Sequence, residues 1–166
     1  MITGDGKATA ECYYQPSEAY IKLAAAEAKM TTTGITIVAR LRESYGREGV
    51  KTFWETTNPR GFAHSIKYLS PREGWPGRID IAMNSEGASV ELPFEPEGTV
   101  SFELIEDGGT WYLKQKIDDE DVLEGLAETL GEWTEAMQSV IEQVGQPGTT
   151  PVTLKERFCR ELGVWE

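Results

Sequence analysis

Apolar side chains follow two different periods along the chain, and the change of period separates helical from sheet-forming parts. Between residues 16 and 56 they recur at helical spacing, which predicts three helices over about 16–30, 33–45 and 48–56. Gly46 is expected to end the second of these. For the β-branched run at 35–38 a strand is the alternative, but the good helix formers that follow favour the helix.

From residue 62 the period becomes two, which is typical of strands with one buried face. Alternation predicts strands over about 62–68, 79–83 and 90–94, followed by a hairpin over 99–117. The hairpin turn is Asp107-Gly108-Gly109, whose glycines supply positive φ angles. The connections are short, and parallel crossovers need a dozen or more residues, so we expect an antiparallel meander.

The last fifty residues return to a helical pattern. Apolar positions repeat at alternating spacings of three and four, which predicts one long helix with a heptad stripe. A capping box, Thr153-x-x-Glu156, then predicts the start of a short final helix that buries Leu154, Phe158 and Leu162. The stripe comprises Leu123, Leu126, Leu130, Trp133, Met137, Val140 and Val144.

Together these elements predict a single α+β domain over 1–166, with about five antiparallel strands after the N-terminal helices and one long and one short helix at the end. Within it we distinguish a loosely docked arm at 1–15, an α+β core at 16–117 and an acidic helical extension at 118–166. At 166 residues the chain is long enough to bury a core without disulfide bonds.

Helices followed by an antiparallel sheet whose late hairpin reads Phe102-Glu-Leu-Ile-Glu-Asp-Gly-Gly-Thr-Trp-Tyr-Leu113 resemble the NTF2-like (cystatin-like cone) superfamily, whose small bacterial members often carry such a hairpin. The resemblance covers about residues 16–117. It implies a curved sheet with the N-terminal helices packed on its concave face and a pocket between them. In the family that pocket serves catalysis, ligand binding, protein contacts or homodimer formation. The acidic helical extension is a departure from the family.

Charge is concentrated in the extension. The whole chain has a formal charge of −12, and residues 118–166, with 12 acidic and three basic residues, account for −9 of it. A surface this acidic repels nucleic acid and anionic lipid, so we expect neither as a direct partner and expect a basic protein instead.

A row of carboxylates lies opposite the heptad stripe, with no Lys or Arg between residues 118 and 144. A solvated helix face normally mixes both charges and gains a few tenths of a kcal/mol per i,i+4 pair. A rigid row of acids can instead imitate a phosphate backbone or dock on a basic active site, as inhibitor, immunity-type and antagonist proteins do. The alternative is that the acids only maintain solubility. The candidate partner-binding residues are Asp121, Glu124, Glu128, Glu132, Glu135 and Glu142.

A second interpretation, a small-ligand binder or enzyme, uses the pocket that the resemblance implies, lined by His64, Tyr68 and Trp111. His64 is the single histidine and a weak catalytic candidate, since no sequence feature assigns it an orienting partner. A third interpretation is a homodimeric accessory domain with the heptad stripe as its seam. Trp75, in a Pro/Gly-rich loop, is a candidate contact residue, with a lid over the end of the cone as the alternative.

No motif predicts a metal, a cofactor or a specific catalytic reaction, and we lean towards a non-enzymatic protein. Cys12 and Cys159 have no zinc-ligand spacing and are expected to be free thiols, although a single disulfide between them is the alternative. The chain lacks an apolar run of the roughly 20 residues that span a bilayer. As written it is expected to be cytoplasmic, an exported protein with its leader removed being the alternative.

Overall fold

The structure is a computed structural model, and it describes residues 6–54, 80–84, 87–94 and 98–163. Within these ranges the chain is α+β, with a helical first part, an antiparallel sheet and a helical last part. The elements are α1 (Gly6–Ala10), α2 (Glu18–Trp54), β1 (Asp80–Asn84), β2 (Gly87–Phe94), β3 (Gly98–Asp107), β4 (Thr110–Leu113), α3 (Glu120–Ile141) and α4 (Pro151–Glu161).

Helix α2 continues through the segment where the sequence predicts a break between two helices. Thr33 and Gly34 have poor helix propensity, but both are buried on this helix, so tertiary packing outweighs local preference. The hydroxyls of Thr32 and Thr36 donate to the carbonyl oxygens four residues earlier, at 2.9 Å each. The β-branched run at 35–38 is therefore helical, as predicted.

Gly46 interrupts α2, as the sequence predicts. Its φ of 69° and ψ of −169° are not helical, and this backbone region is essentially restricted to glycine. The predicted third helix follows the kink and runs to Trp54, with Phe53 fully buried.

The described sheet has four strands in the order β1-β2-β3-β4, all antiparallel. The predicted hairpin is confirmed: Asp107 pairs with Thr110 across Gly108 and Gly109, whose φ angles are 57° and 83°. The sequence predicts about five strands, but the strand expected over 62–68 lies outside the described residues. Each of the other predicted strands is present.

The N-terminal arm contacts the sheet at the edge of β4. Tyr13 forms an isolated parallel bridge with Leu113. The Leu113 amide donates to the Cys12 carbonyl at 2.8 Å, and the Tyr14 amide donates to the Leu113 carbonyl at 2.9 Å. The arm, predicted to be loosely docked, thus forms helix α1 and two backbone hydrogen bonds with a strand.

Helices α2 and α3 lie side by side and run parallel. Near their starts, Lys22 contacts Glu124, and near the end of α3, Tyr45 accepts a hydrogen bond from the Gly145 amide at 3.1 Å. The sequence predicts that the heptad stripe packs on the sheet or on a second copy, but the structure places it against α2 of the same chain. The residues buried together between these helices include Ala19 and Leu23 with Leu123, and Ile37 and Leu41 with Met137 and Val140.

Helix α4 begins three residues earlier than the predicted capping box. Thr150 is the N-cap, its side chain accepts from the Thr153 amide at 3.2 Å, and the Thr153 hydroxyl oxygen accepts from the Thr150 amide at 2.9 Å. Pro151 takes the first helical position, where a missing N–H has no cost. Leu154 and Phe158 are buried as predicted, and Leu162 packs against them half-buried.

Candidate protein-docking surface

The six candidate carboxylates form one exposed line along α3 and its C-cap residue, which we call the acidic row: Asp121, Glu124, Glu128, Glu132, Glu135 and Glu142. All six side chains are exposed, as the sequence predicts. Their spacings of three, four, four, three and seven residues keep them on one side of a helix. At a rise of roughly 1.5 Å per residue, the row is about 30 Å long.

The opposite side of α3 fixes the acidic row to the rest of the protein. Leu123, Met137 and Val140 are all 0 % exposed, packed with residues of α2 and α4. Burying large apolar side chains contributes about 1.5 to 3 kcal/mol each before other costs. A helix held in this way presents its carboxylates on a rigid support, so little backbone conformational entropy would be lost on docking.

The start of α3 also favours negative charge. Asp119 is the N-cap, and its carboxylate accepts from the Val122 amide at 3.2 Å. Glu120 and Asp121 lie in the first turn, where the helix dipole stabilises acidic side chains. This end of the helix therefore needs no basic residue to compensate its acids.

One member of the acidic row has a basic neighbour from another helix. The Lys22 ammonium lies 3.1 Å from the Glu124 carboxylate, and both side chains are more than half exposed. The hydrogen bond and charge of Glu124 raise the pKa of Lys22, so the lysine keeps its charge. A pair this exposed adds little stability, and a basic partner could compete for the carboxylate.

Helix α4 borders the C-terminal half of α3 with a small polar network. Arg157 Nε donates to Ser139 Oγ of α3 at 3.1 Å and to Glu161 Oε1 at 2.8 Å. Ser139 Oγ also donates to the same Glu161 oxygen at 2.8 Å. The guanidinium thus pairs with Glu161 of its own helix and not with a member of the acidic row.

The sequence did not reveal that the heptad stripe is incompletely covered. Leu126 is 41 % exposed, although its position in the repeat is equivalent to that of Trp133 and of buried Val140. Val122, one turn earlier, is 46 % exposed. A repeat pattern shows which side of a helix is apolar, but how far along the helix its neighbours extend depends on the fold.

The described part of the sheet carries a shallow depression of about 340 Å³. Lys114 Nζ lies 2.8 Å from Glu103 Oε2 at its rim, and this hydrogen bond lowers the pKa of Glu103 below its usual range. The carboxylate is therefore a poor proton acceptor, and the pair offers no general base near neutral pH. The lining residues are Gly87, Ala88, Ser89, Glu103, Leu104, Ile105 and Lys114.

The predicted pocket is only partly within the described structure. His64 and Tyr68 lie outside the described residues, as does the candidate contact residue Trp75. Trp111 is 41 % exposed on β4 and is not among the residues that line the depression. The pocket around His64 stays a prediction.

Both cysteines of the chain lie within the described ranges. Cys12 is half-buried, Cys159 is buried, and no disulfide joins them in this structure. Over these ranges no group of three or more His, Cys, Asp and Glu is arranged to hold a metal ion. Nor is any helix in them long and apolar enough to cross a membrane.

Comparison of the chain with protein-family models, with curated proteins and with solved structures gives no match. The NTF2-like resemblance stays a prediction on the residues that carry it. The function must therefore be inferred from the surface itself.

Proposed function

We propose that this chain is a non-enzymatic binding protein, of the inhibitor, immunity or antagonist kind, whose acidic row docks on a basic protein. The observation that supports this function is the placement of six exposed carboxylates along one line of a helix whose other side is buried. Opposed charges of this density steer association and select the partner. Anionic membranes and nucleic acids would be repelled by the same line.

Charge neutralisation tests the proposal without disturbing the core. Replacing Glu128, Glu132 and Glu135 by Gln removes three exposed charges and leaves the Lys22–Glu124 pair intact. We expect a basic protein that the wild-type chain retains from a source lysate at low salt to bind this variant at least about tenfold more weakly, a difference of about 1.4 kcal/mol. Retention should also fall at high salt, because screening weakens exposed charge pairs.

A matched variant separates the acidic row from net charge. Replacing Glu43, Glu48 and Glu91 by Gln makes the same change in charge at exposed positions on α2 and β2. We expect this control to retain the partner as the wild type does. Equal retention of the captured protein by the control and by the Glu128/Glu132/Glu135 variant would show that the acidic row is not the docking surface.

A further inference from the structure

Leu126, Trp133 and Val140 occupy the same position in three successive heptads of α3, but only the last two are covered. Val140 is 0 % exposed in the cluster that contains Leu154 and Phe158 of α4, and Trp133 packs edge-on against Phe158, with ring centroids 6.1 Å apart. Leu126 is 41 % exposed. The apolar line of α3 therefore continues beyond the surface on which α4 packs.

Helix α4 shows which chemistry fits this line. It is an amphipathic helix that places Leu154 and Phe158, four residues apart, against the cluster. Its Arg157 donates a hydrogen bond across to Ser139 of α3. An apolar i,i+4 pair bordered by a basic side chain thus already packs on the covered part of α3 within the chain.

The uncovered part, which we call the first-heptad patch, consists of Val122 and Leu126 with Gly125 between them. Val122 is 46 % exposed, and a Cβ added at Gly125 would contact nothing. Exposed apolar side chains that continue an existing interface mark a binding surface when their surroundings are polar. Here the acidic row begins beside the patch, because exposed Asp121 directly precedes Val122.

We propose that the first-heptad patch anchors an amphipathic helical segment of a basic protein partner, which extends the interface that α4 forms farther along α3. Its apolar pair packs on Val122 and Leu126, and its Lys and Arg side chains reach around α3 to Asp121 and Glu132, which at 3.6 residues per turn are the members of the acidic row nearest to this side of the helix. This inference rests on the proposed function and adds to it where the partner binds and with what chemistry. Apolar contacts contribute affinity that salt does not screen, whereas charged contacts orient the partner and raise the rate of association.

Two synthetic helical peptides of equal positive charge serve as probes for the test. Both are Lys-rich, and one carries Leu at an i,i+4 pair where its twin carries Ser. We expect the Leu peptide to bind the full wild-type chain about tenfold more tightly than the Ser peptide at physiological salt, as measured by fluorescence anisotropy. Leu126→Ser should abolish this difference and leave binding of the Ser peptide unchanged.

Ile35→Ser is the matched control, because Ile35 is 46 % exposed on α2 and lies on a different helix. It should preserve the difference between the two peptides, and circular dichroism should show that both variants keep the wild-type fold. A Leu peptide that binds Leu126→Ser as tightly as wild type would overturn the first-heptad patch.

The same titrations keep the two proposals distinguishable. If the wild type binds both peptides equally and the Glu128/Glu132/Glu135 variant binds neither, the first-heptad patch is not a binding site. The same result would support the acidic row as the docking surface. Failure of both peptides to bind would count against the two proposals together. A wild-type dimer in sedimentation that Leu126→Ser dissociates would identify a second copy as the occupant and overturn the partner helix.

Discussion

Lys22 Nζ and Glu124 Oε1 lie 3.1 Å apart although 102 positions separate them in the sequence. The contact joins the start of α2 to the start of α3, in agreement with the parallel packing of the two long helices through their buried clusters. Among the described residues it also joins the acidic row to a basic residue of the same chain. The same ion pair therefore belongs both to the contact between the two helices and to the proposed docking surface.

Replacing Lys22 by Gln should strengthen binding at the acidic row. The variant loses one positive charge and frees the Glu124 carboxylate for a basic partner. Because both side chains are more than half exposed, we expect the melting temperature to change little. Anisotropy titration with either Lys-rich peptide measures the change in affinity.

Arg42→Gln is the control for this prediction. It removes the same charge from another exposed position of α2, in the second half of that helix. We expect it to alter binding less than Lys22→Gln does. A larger effect from Arg42→Gln would show that net charge, and not the freed carboxylate, governs binding.

Alanine substitutions at two glycines that both face open space should change the free energy of unfolding in opposite directions. A Cβ at Gly46 or at Gly125 would meet no atom within 4 Å. Gly46 has a φ of 69° and a ψ of −169°, so Gly46→Ala should lower the free energy of unfolding by about 1–3 kcal/mol through backbone strain. Gly125 is helical, so Gly125→Ala should raise it by roughly 0.5–1 kcal/mol.

Urea denaturation followed by circular dichroism compares the two variants directly. Each variant is the control for the other, because neither methyl group creates a steric contact. A destabilised Gly125→Ala would mean that its backbone is not regular helix in solution.

The ion pair between Glu103 and Lys114 should make the stability of the protein depend on pH below 4.5, the ordinary pKa of a glutamate carboxyl group. Lys114 lowers the folded-state pKa of Glu103 relative to the unfolded chain, so the stabilisation is present above pH 4.5. It is lost as the pH falls through the lower folded-state pKa. We therefore expect the melting temperature of the wild type to fall more than that of Glu103→Gln between about pH 5.5 and pH 3.

Glu91→Gln provides the comparison, since it removes one exposed carboxylate from the neighbouring strand β2. Its melting temperature should follow the wild-type dependence on pH more closely than that of Glu103→Gln does. Parallel curves for wild type and Glu103→Gln would contradict a coupling between Glu103 and Lys114.

Local patterns predicted the elements whose signals lie within a few residues. The 3–4 spacing of the heptad stripe predicted α3, and Gly108 and Gly109 predicted the hairpin turn, because helix periodicity and turn geometry are local properties. The same reasoning placed a break before Thr33, where the structure has continuous helix. Burial of Thr33 and Gly34 on α2 outweighs their poor propensity, and propensity alone does not report burial.

The sequence predicts which charged residues of α3 are exposed, but it does not predict which apolar residues of α3 are covered by other helices. The exposed acids of α3 follow from their placement opposite the stripe. That α2 is the partner of the stripe depends on a contact between distant segments, for which one sequence gives no local signal. Exposure of Leu126 depends in turn on how far α4 extends along α3, which is a property of the folded chain.

The parallel arrangement of α2 and α3 determines when the core can be completed during synthesis. Ile37 and Leu41 of α2 leave the ribosome about a hundred residues before Met137 and Val140, with which they are buried. Until then the apolar side of α2 has no partner from α3, and contacts between such distant segments form slowly. While those hundred residues are being synthesised, the side of α2 that packs on α3 in the folded protein is accessible to chaperones.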